Sequence, residues 1–217
     1  MQEIIVATGN RGKMREIAEW LSDFPYSLSS LKQHFNPPPR IPETGATFED
    51  NALAKARWVY TRTGIWALAD DSGLEVDCLD GRPGVHSARY AGENATDQQN
   101  LDKLLDALKD VPAQKRTARF RCVIALITDN GETYTATGLC TGRIGSTPRG
   151  TNGFGYDPVF VPTGFSATFG ELDSGIKQSI SHRGKALLNL RKHLRILRRQ
   201  DKDNHPESSP NGEMMHG

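Results

Sequence analysis

The chain is poor in cysteine: its 217 residues hold three, Cys78, Cys122 and Cys140. The count is odd and no two are close in sequence. This excludes a disulfide framework and a cysteine zinc site, and it points to a reducing compartment. Long apolar runs are also missing. No stretch approaches the about 18 apolar residues of a membrane span, and the run Ile4 to Thr8 is far too short for a signal peptide. Neither sign of charge dominates, since 27 Lys and Arg stand against 26 Asp and Glu, a net of +1. A strongly basic nucleic-acid binder is not indicated, and no stable nucleic-acid partner is expected. Two nucleotide motifs are absent as well. No Gly-x-Gly-x-x-Gly turn follows the first strand, which argues against a dinucleotide redox enzyme, and no Walker A pattern occurs. The balance reads as a soluble, cytoplasmic protein without a membrane partner.

What is present is a chain long enough for a core. The scaling of surface with mass puts roughly 70% of the unfolded surface in the interior. Residues 3–8 read as a buried strand, and Gly9-Asn10 as a turn. A helix then places Met14, Ile17, Ala18 and Leu21 on one face. Five prolines and glycines between 35 and 45 exclude a helix there. A helix over about 47–61 is stopped by Gly64. Ile65 to Ala69 is a second apolar strand, and Leu74 to Asp77 alternates like another. Residues 80–95 read as a long loop, and 97–109 as a helix. Arg119 to Thr128 and Thr133 to Cys140 form a strand pair around Asn130-Gly131. The last helix spans about 184–199, and the polar stretch 200–217 is expected to be disordered. The order is mixed α/β, helices covering a sheet with at least one antiparallel pair.

Five clusters could carry chemistry. Thr8-Gly9-Asn10-Arg11-Gly12-Lys13 joins the first strand to the first helix. Free N–H groups and the positive helix end suit an anion there, and Lys13 adds a charge. The same residues also suit a plain turn capped by Asn10. Asp70-Asp71-Ser72-Gly73 closes an apolar strand. On a continuing strand the two carboxylates point to opposite faces. A turn at Ser72-Gly73 would leave both at a sheet edge, where they suit Mg²⁺ and its bound phosphates; a solvated turn fits the same residue types. Glu43-Thr44-Gly45 precedes a helix on which Asn51 and Lys55 share a face. Glu43 suits a metal or, equally, the dipole of the helix first turn. Gly153-Phe154-Gly155-Tyr156-Asp157-Pro158 brackets an aromatic with glycines. A planar ligand can stack on Phe154, and Asp157 can accept from a ring nitrogen or an amine; a Gly-rich turn with Phe154 in the core is the alternative. Lys177 with Ser181-His182-Arg183-Gly184 gathers donors where cations oppose the helix dipole. Such donors suit a carbonyl oxygen, and Ser181 as a cap followed by solvated charges is the plainer reading. The last helix carries seven Lys and Arg between 183 and 199 with no acid. With no aromatic interleaved, it reads as a solvated face.

Taken in order, these motifs, together with Phe48-x-x-Asn51-Ala52, Lys55-Ala-Arg57, Gly84 and Ser87-Ala-Arg-Tyr90, cover about residues 1–197. The chain closely resembles the inosine/xanthosine triphosphate pyrophosphatases, in their bacterial dITP/XTP form. The resemblance implies an elongated mixed β-sheet with flanking helices and two lobes around a central cleft. It treats 1–199 as one such domain and leaves 200–217 as a tail. It implies hydrolysis of ITP, dITP and XTP to the monophosphate and pyrophosphate with Mg²⁺, by a homodimer. Asp71 matches the general base and can also hold the metal, with Glu43 and Asp70 beside it. Thr8, Asn10 and Lys13 match the phosphate turn, with Gly9, Arg11 and Gly12 of the same stretch counted as substrate-binding, and Lys55 matches a further triphosphate contact. Ser72 matches a substrate contact and Phe154 the stacking residue. Asp157, Lys177, His182 and Arg183 match the base pocket, and Gly155 and Tyr156 are counted as substrate-binding beside them. A catalytically inactive nucleotide- or nucleic-acid-binding module of the same fold is the alternative. Two departures stand out: Ser174-Gly175-Ile176 ahead of Lys177, and Pro37-Pro38-Pro39 ahead of Glu43.

Overall fold

β1 (Gln2–Val6) is the apolar run at the start of the chain, and its last three residues are buried. A computed structural model describes residues 2–204, with side chains through 199. Asn10 caps α1 (Arg11–Leu21), its side chain accepting from the Lys13 amide. β2 (Tyr26–Ser30) returns parallel to β1, and a single turn, α2 (Leu31–His34), follows. Thr47 and Asp50 form a capping box at the start of α3 (Phe48–Thr63), and Gly64 ends it in the left-handed conformation at φ +67. Then come β3 (Trp66–Val76), α4 (Asp97–Ala107), β4 (Thr117–Ile127), β5 (Thr133–Ile144), β6 (Phe160–Pro162), α5 (Ser174–Ile180) and α6 (His182–Asn204). The six strands form one mixed sheet in the order β2-β1-β3-β4-β5-β6. β1 is parallel to both neighbours, and the remaining pairs are antiparallel.

Several elements differ from the sequence expectations. The turn at Ser72-Gly73 does not form, because β3 runs unbroken through Asp70-Asp71-Ser72-Gly73 and pairs with β4 over its whole polar stretch. β2, β6 and α5 lie outside those expectations. β2 is a half-exposed Tyr-Ser-Leu-Ser-Ser segment, and β6 is only three residues long. α5 forms despite Gly175 and carries Lys177 in its interior. α6 begins at His182 and continues to Asn204, through the first five residues of the expected tail; residues 205–217 lie outside the described ones.

Alternation along β3 divides the interior. Trp66 and Leu68 join Ile4, Val6, Ile17, Cys122, Ile124, Leu187 and Leu190 in a core under α1 and α6. Ala67 and Ala69 join Ile5, Ala52, Ala56, Val59, Val123 and Ala125 in a core under α3. Leu74 and Val76 belong to a third core with Leu101, Leu104, Phe120, Phe160 and Phe169. Leu68 and Leu74 point to the same face. Between them that face carries Asp70 and Ser72. A polar row thus separates two apolar cores, and there the fold opens a cleft of about 1070 Å³.

Candidate active site

β1 pairs with β3 only as far as Leu68, after which the chain turns away through Thr8-Gly9-Asn10. The β3 edge beyond it is completed by side chains. Lys55 Nζ donates to the Asp70 carbonyl at 2.7 Å, and the Leu74 amide donates to Ser87 Oγ at 2.9 Å. A Cβ at Gly73 would overlap Ser87 Oγ and the Gly84 carbonyl, so this close approach requires glycine.

On the α1/α6 face, Asp70 Oδ2 lies 3.2 Å from Lys13 Nζ and 3.2 Å from Arg183 Nε. Ser72 Oγ donates to the same oxygen and accepts from Arg183. Burial pushes the Asp70 carboxyl up, but Lys13, Arg183 and Lys55 outweigh it and hold it well below the usual range. Arg183 also pairs with Glu16 of α1, which reaches Lys177 as well.

On the α3 face, Asp71 Oδ1 lies 3.2 Å from Lys55 Nζ, and Asn51 Nδ2 donates to Oδ2 at 3.1 Å. Asn51 is wholly buried; its oxygen accepts from the Gly45 amide, which ties the loop before α3 to the carboxylate. Glu43 pairs with Lys55 at 2.5 Å and with Arg89 at 3.4 Å. Burial raises the Asp71 carboxyl above its ordinary value, Lys55 and Lys13 offset only part of this, and Glu43 adds to the rise. Burial alone would depress Lys55, but Asp71, Glu43 and Asp70 hold it charged. The two adjacent carboxylates therefore sit in opposite electrostatic settings: Lys13, Arg183 and Lys55 favour the charged form of Asp70, whereas burial disfavours that of Asp71.

The far end of the cleft is built by the Gly153–Asp157 turn and the α5–α6 junction. Asp157 Oδ2 accepts from the Phe154 amide at 2.8 Å and from Lys177 Nζ at 2.7 Å. It holds the turn and the lysine together. The Phe154 ring lies against Gly12, where a Cβ would come within 2.9 Å, with Lys177 5.1 Å above the ring centroid. The His182 ring stacks on Phe120 at 4.6 Å and 11°. Burial, Arg183 and Lys177 push its pKa well below the ordinary value, so the ring is neutral, and its buried Nδ1 has no hydrogen-bond partner among the described residues. Tyr156 is a core residue whose hydroxyl donates to the Ser87 carbonyl. In the first turn, Thr8 Oγ1 accepts from the Asn10 amide, and Gly9 to Lys13 line the cleft apart from Gly12.

A model of the Ham1 family matches residues 4–193. The chain belongs to the Ham1 family. It is 53% identical over 194 residues to the dITP/XTP pyrophosphatase of Geobacter sulfurreducens, covering 89% of this chain and 97% of that one. It is 47% identical to the enzyme of the same name from Oceanobacillus iheyensis, covering 91% and 100%. A solved HAM1 protein of Coxiella burnetii superimposes with a TM-score of 0.82 at 43% identity, over 90% of this chain and 100% of that one.

This Ham1 chain brings Glu43 and Asp71 to one ammonium, Lys55, and sets Asp70 on the opposite face. Among the described residues, no three His, Cys, Asp or Glu side chains gather closely enough to hold a metal by themselves. Mg²⁺ usually takes one or two carboxylates together with substrate phosphates. Glu43 and Asp71, which meet at Lys55, fit that pattern, and beside them the buried Oδ1 of Asp70 has no hydrogen-bond partner among the described residues. Two side chains that hold residues of the cleft, Glu16 and Asp97, fall outside the sequence motifs. Glu16 lies one turn beyond Lys13 on α1, a helical spacing that marks a shared face. Asp97, in the first turn of α4, accepts from the Gly155 amide at 2.8 Å and so clamps the Phe154 turn across the cleft; nothing local in sequence signals this contact.

Proposed function

We infer that this chain hydrolyses non-canonical purine nucleoside triphosphates, ITP, dITP and XTP, to the monophosphate and pyrophosphate. The observation that carries the reading is near-full-length kinship with proteins named dITP/XTP pyrophosphatase, at about half identity. The site chemistry supports it. A triphosphate calls for lysines and a helix N-terminus, and Lys13, Lys55 and the Asn10-capped start of α1 meet in one cleft. Asp71 takes the proton of the water that attacks the α-phosphorus, and pyrophosphate leaves. Glu43 and Asp71 would hold Mg²⁺, which when bound would supply charge neutralisation at the phosphates. Asp70 anchors Lys13 and Arg183. Phe154 stacks on the base. Hypoxanthine and xanthine carry a 6-oxo acceptor where adenine carries an amino donor. With its proton on Nδ1, His182 pairs with the former and is left unpaired by the latter, a mismatch of about 1–3 kcal/mol. The working form is proposed to be a cytoplasmic homodimer.

The test is pyrophosphate release from dITP, XTP, dGTP and dATP, with Mg²⁺ and with chelator. Release from dITP and XTP alone, lost with chelator, is the expected result. Equal release from all four overturns the base-reading account. Nucleotide binding without release from any establishes the inactive module instead.

A further inference from the structure

The loop between α2 and α3 carries Glu43 and contains Pro37, Pro38, Pro39 and Pro42, which have no amide to donate. Among the described residues, no backbone–backbone hydrogen bond reaches residues 36–46. The main chain of this loop is held at two points, both by side chains. Asn51 accepts from the Gly45 amide at 2.7 Å. Arg89 Nη2 donates to the carbonyl of Glu43 itself at 2.9 Å. The same guanidinium reaches the Glu43 carboxylate at 3.4 Å through Nη1, and Glu93 at 3.5 Å through Nε. Arg89 belongs to the stretch Ser87-Ala-Arg-Tyr90, which the reaction above leaves without a role.

The backbone that carries Arg89 is fixed on every side. Arg89 ends a 3₁₀ helix over Gly84–Arg89. The Ser87 carbonyl accepts from Tyr156 at 2.9 Å, and the Ala88 carbonyl from Asn100 at 3.1 Å. The Tyr90 carbonyl accepts from Lys103 at 2.7 Å, and the Ala91 amide donates to Asn100 at 2.7 Å. Asn100 is buried on α4 and brackets Arg89 from both sides. An irregular, proline-rich loop is thus pinned to a rigid post at the residue that bears the acid. The planar guanidinium fork can hold a carbonyl and a carboxylate together, which a single ammonium cannot. Charge alone gives Arg89 the opposite effect. A cation beside the Glu43 carboxylate repels a metal ion held there. Geometry and charge therefore predict opposite outcomes when the arginine is removed.

We propose that Arg89 is a positioning residue: it fixes the main chain at Glu43 so that the carboxylate is presented to a divalent cation bound with the nucleotide. The proposal rests on the pyrophosphatase reading for the cation. Arg89 acts through Glu43 and touches neither the cation nor the reacting phosphorus.

The experiment compares the native chain with Arg89→Ala, Arg89→Lys and Glu93→Ala, each checked for folding by its melting temperature. In Arg89→Ala, the Mg²⁺ concentration that gives half-maximal pyrophosphate release from dITP is expected to rise about tenfold or more. KM for dITP at saturating Mg²⁺ should hold. Arg89→Lys should recover part of the loss. Glu93→Ala removes an exposed pair and leaves the Glu43 contacts, so it should match the native chain. A readout independent of turnover is hydrogen exchange at the Gly45 amide, followed by NMR without metal or nucleotide. It should speed up severalfold in Arg89→Ala and stay unchanged in Glu93→Ala. An unchanged or lower Mg²⁺ requirement overturns the assignment, as does unchanged Gly45 exchange or an equal loss in Glu93→Ala. A raised KM for dITP with the Mg²⁺ requirement unmoved would make Arg89 a direct substrate contact instead. If the native chain releases no pyrophosphate from dITP, the functional reading fails by itself, and Gly45 exchange still decides whether Arg89 holds the loop.

Discussion

At Asp71 burial makes the charged form costly, and at Asp70 three cations make it favourable, although the residues are consecutive. The consequences for stability have opposite signs. The Asp70 carboxyl lies below its unfolded value, so its contribution is full above that value and is lost as pH falls through the folded one. The Asp71 carboxyl lies above its unfolded value, so it imposes a penalty that is absent below the unfolded value and full above the folded one. Asp71→Asn should therefore abolish turnover, by a factor of about a thousand or more, without lowering the melting temperature at neutral pH. Asp70→Asn leaves Lys13 without its carboxylate and Arg183 with only Glu16. It should cost about 3 kcal/mol in denaturant unfolding. A destabilised Asp71→Asn or an untroubled Asp70→Asn would contradict this division.

Among the elements, α4 and the Gly153–Asp157 turn offer a sharper test than the strands. Thr96 caps α4, its hydroxyl accepting from the Gln99 amide, so Asp97 is not needed to start the helix. Its contact with the Gly155 amide instead fixes the Phe154 turn. Asp97→Ala should raise KM for dITP by about three- to tenfold with little change in kcat, as steady-state rates would show. The helices are legible in sequence because their apolar positions recur every three or four residues and Thr47, Gly64 and Asn10 punctuate them. β4 and β5 are legible from the Asn130-Gly131 turn, whose residues adopt φ 59 and φ 75. The centre of β3 misleads because Asp, Asp, Ser and Gly favour turns locally. Pairing with β4 and the edge contacts from Lys55 and Ser87 override that preference. β2 and β6 carry too little hydrophobic alternation to announce themselves.

Over the whole molecule, the site is held by charge pairs of the chain's own side chains, which join α1, α3, β3 and α6. Removal of divalent metal should accordingly abolish pyrophosphate release while shifting the melting temperature by no more than about 1 °C, since no buried ligand set among the described residues depends on the ion. A large drop in melting temperature with chelator would show a structural metal instead. The residue types of the site are legible in sequence, but their grouping is not. Asp70 and Glu43, 27 residues apart in sequence, come together only through Lys55 and Lys13, and Glu16 and Asp97 reach the site only through the packing of α1 and α4. The unbroken run of β3 has a further consequence, for inheritance. Gain or loss of one codon between Trp66 and Ala69 would carry every later side chain to the opposite face, exchanging the places of anchor and base. A change of two codons would keep each on its own side. Descendant genes that alter the length of this stretch and keep the activity should therefore do so in even steps.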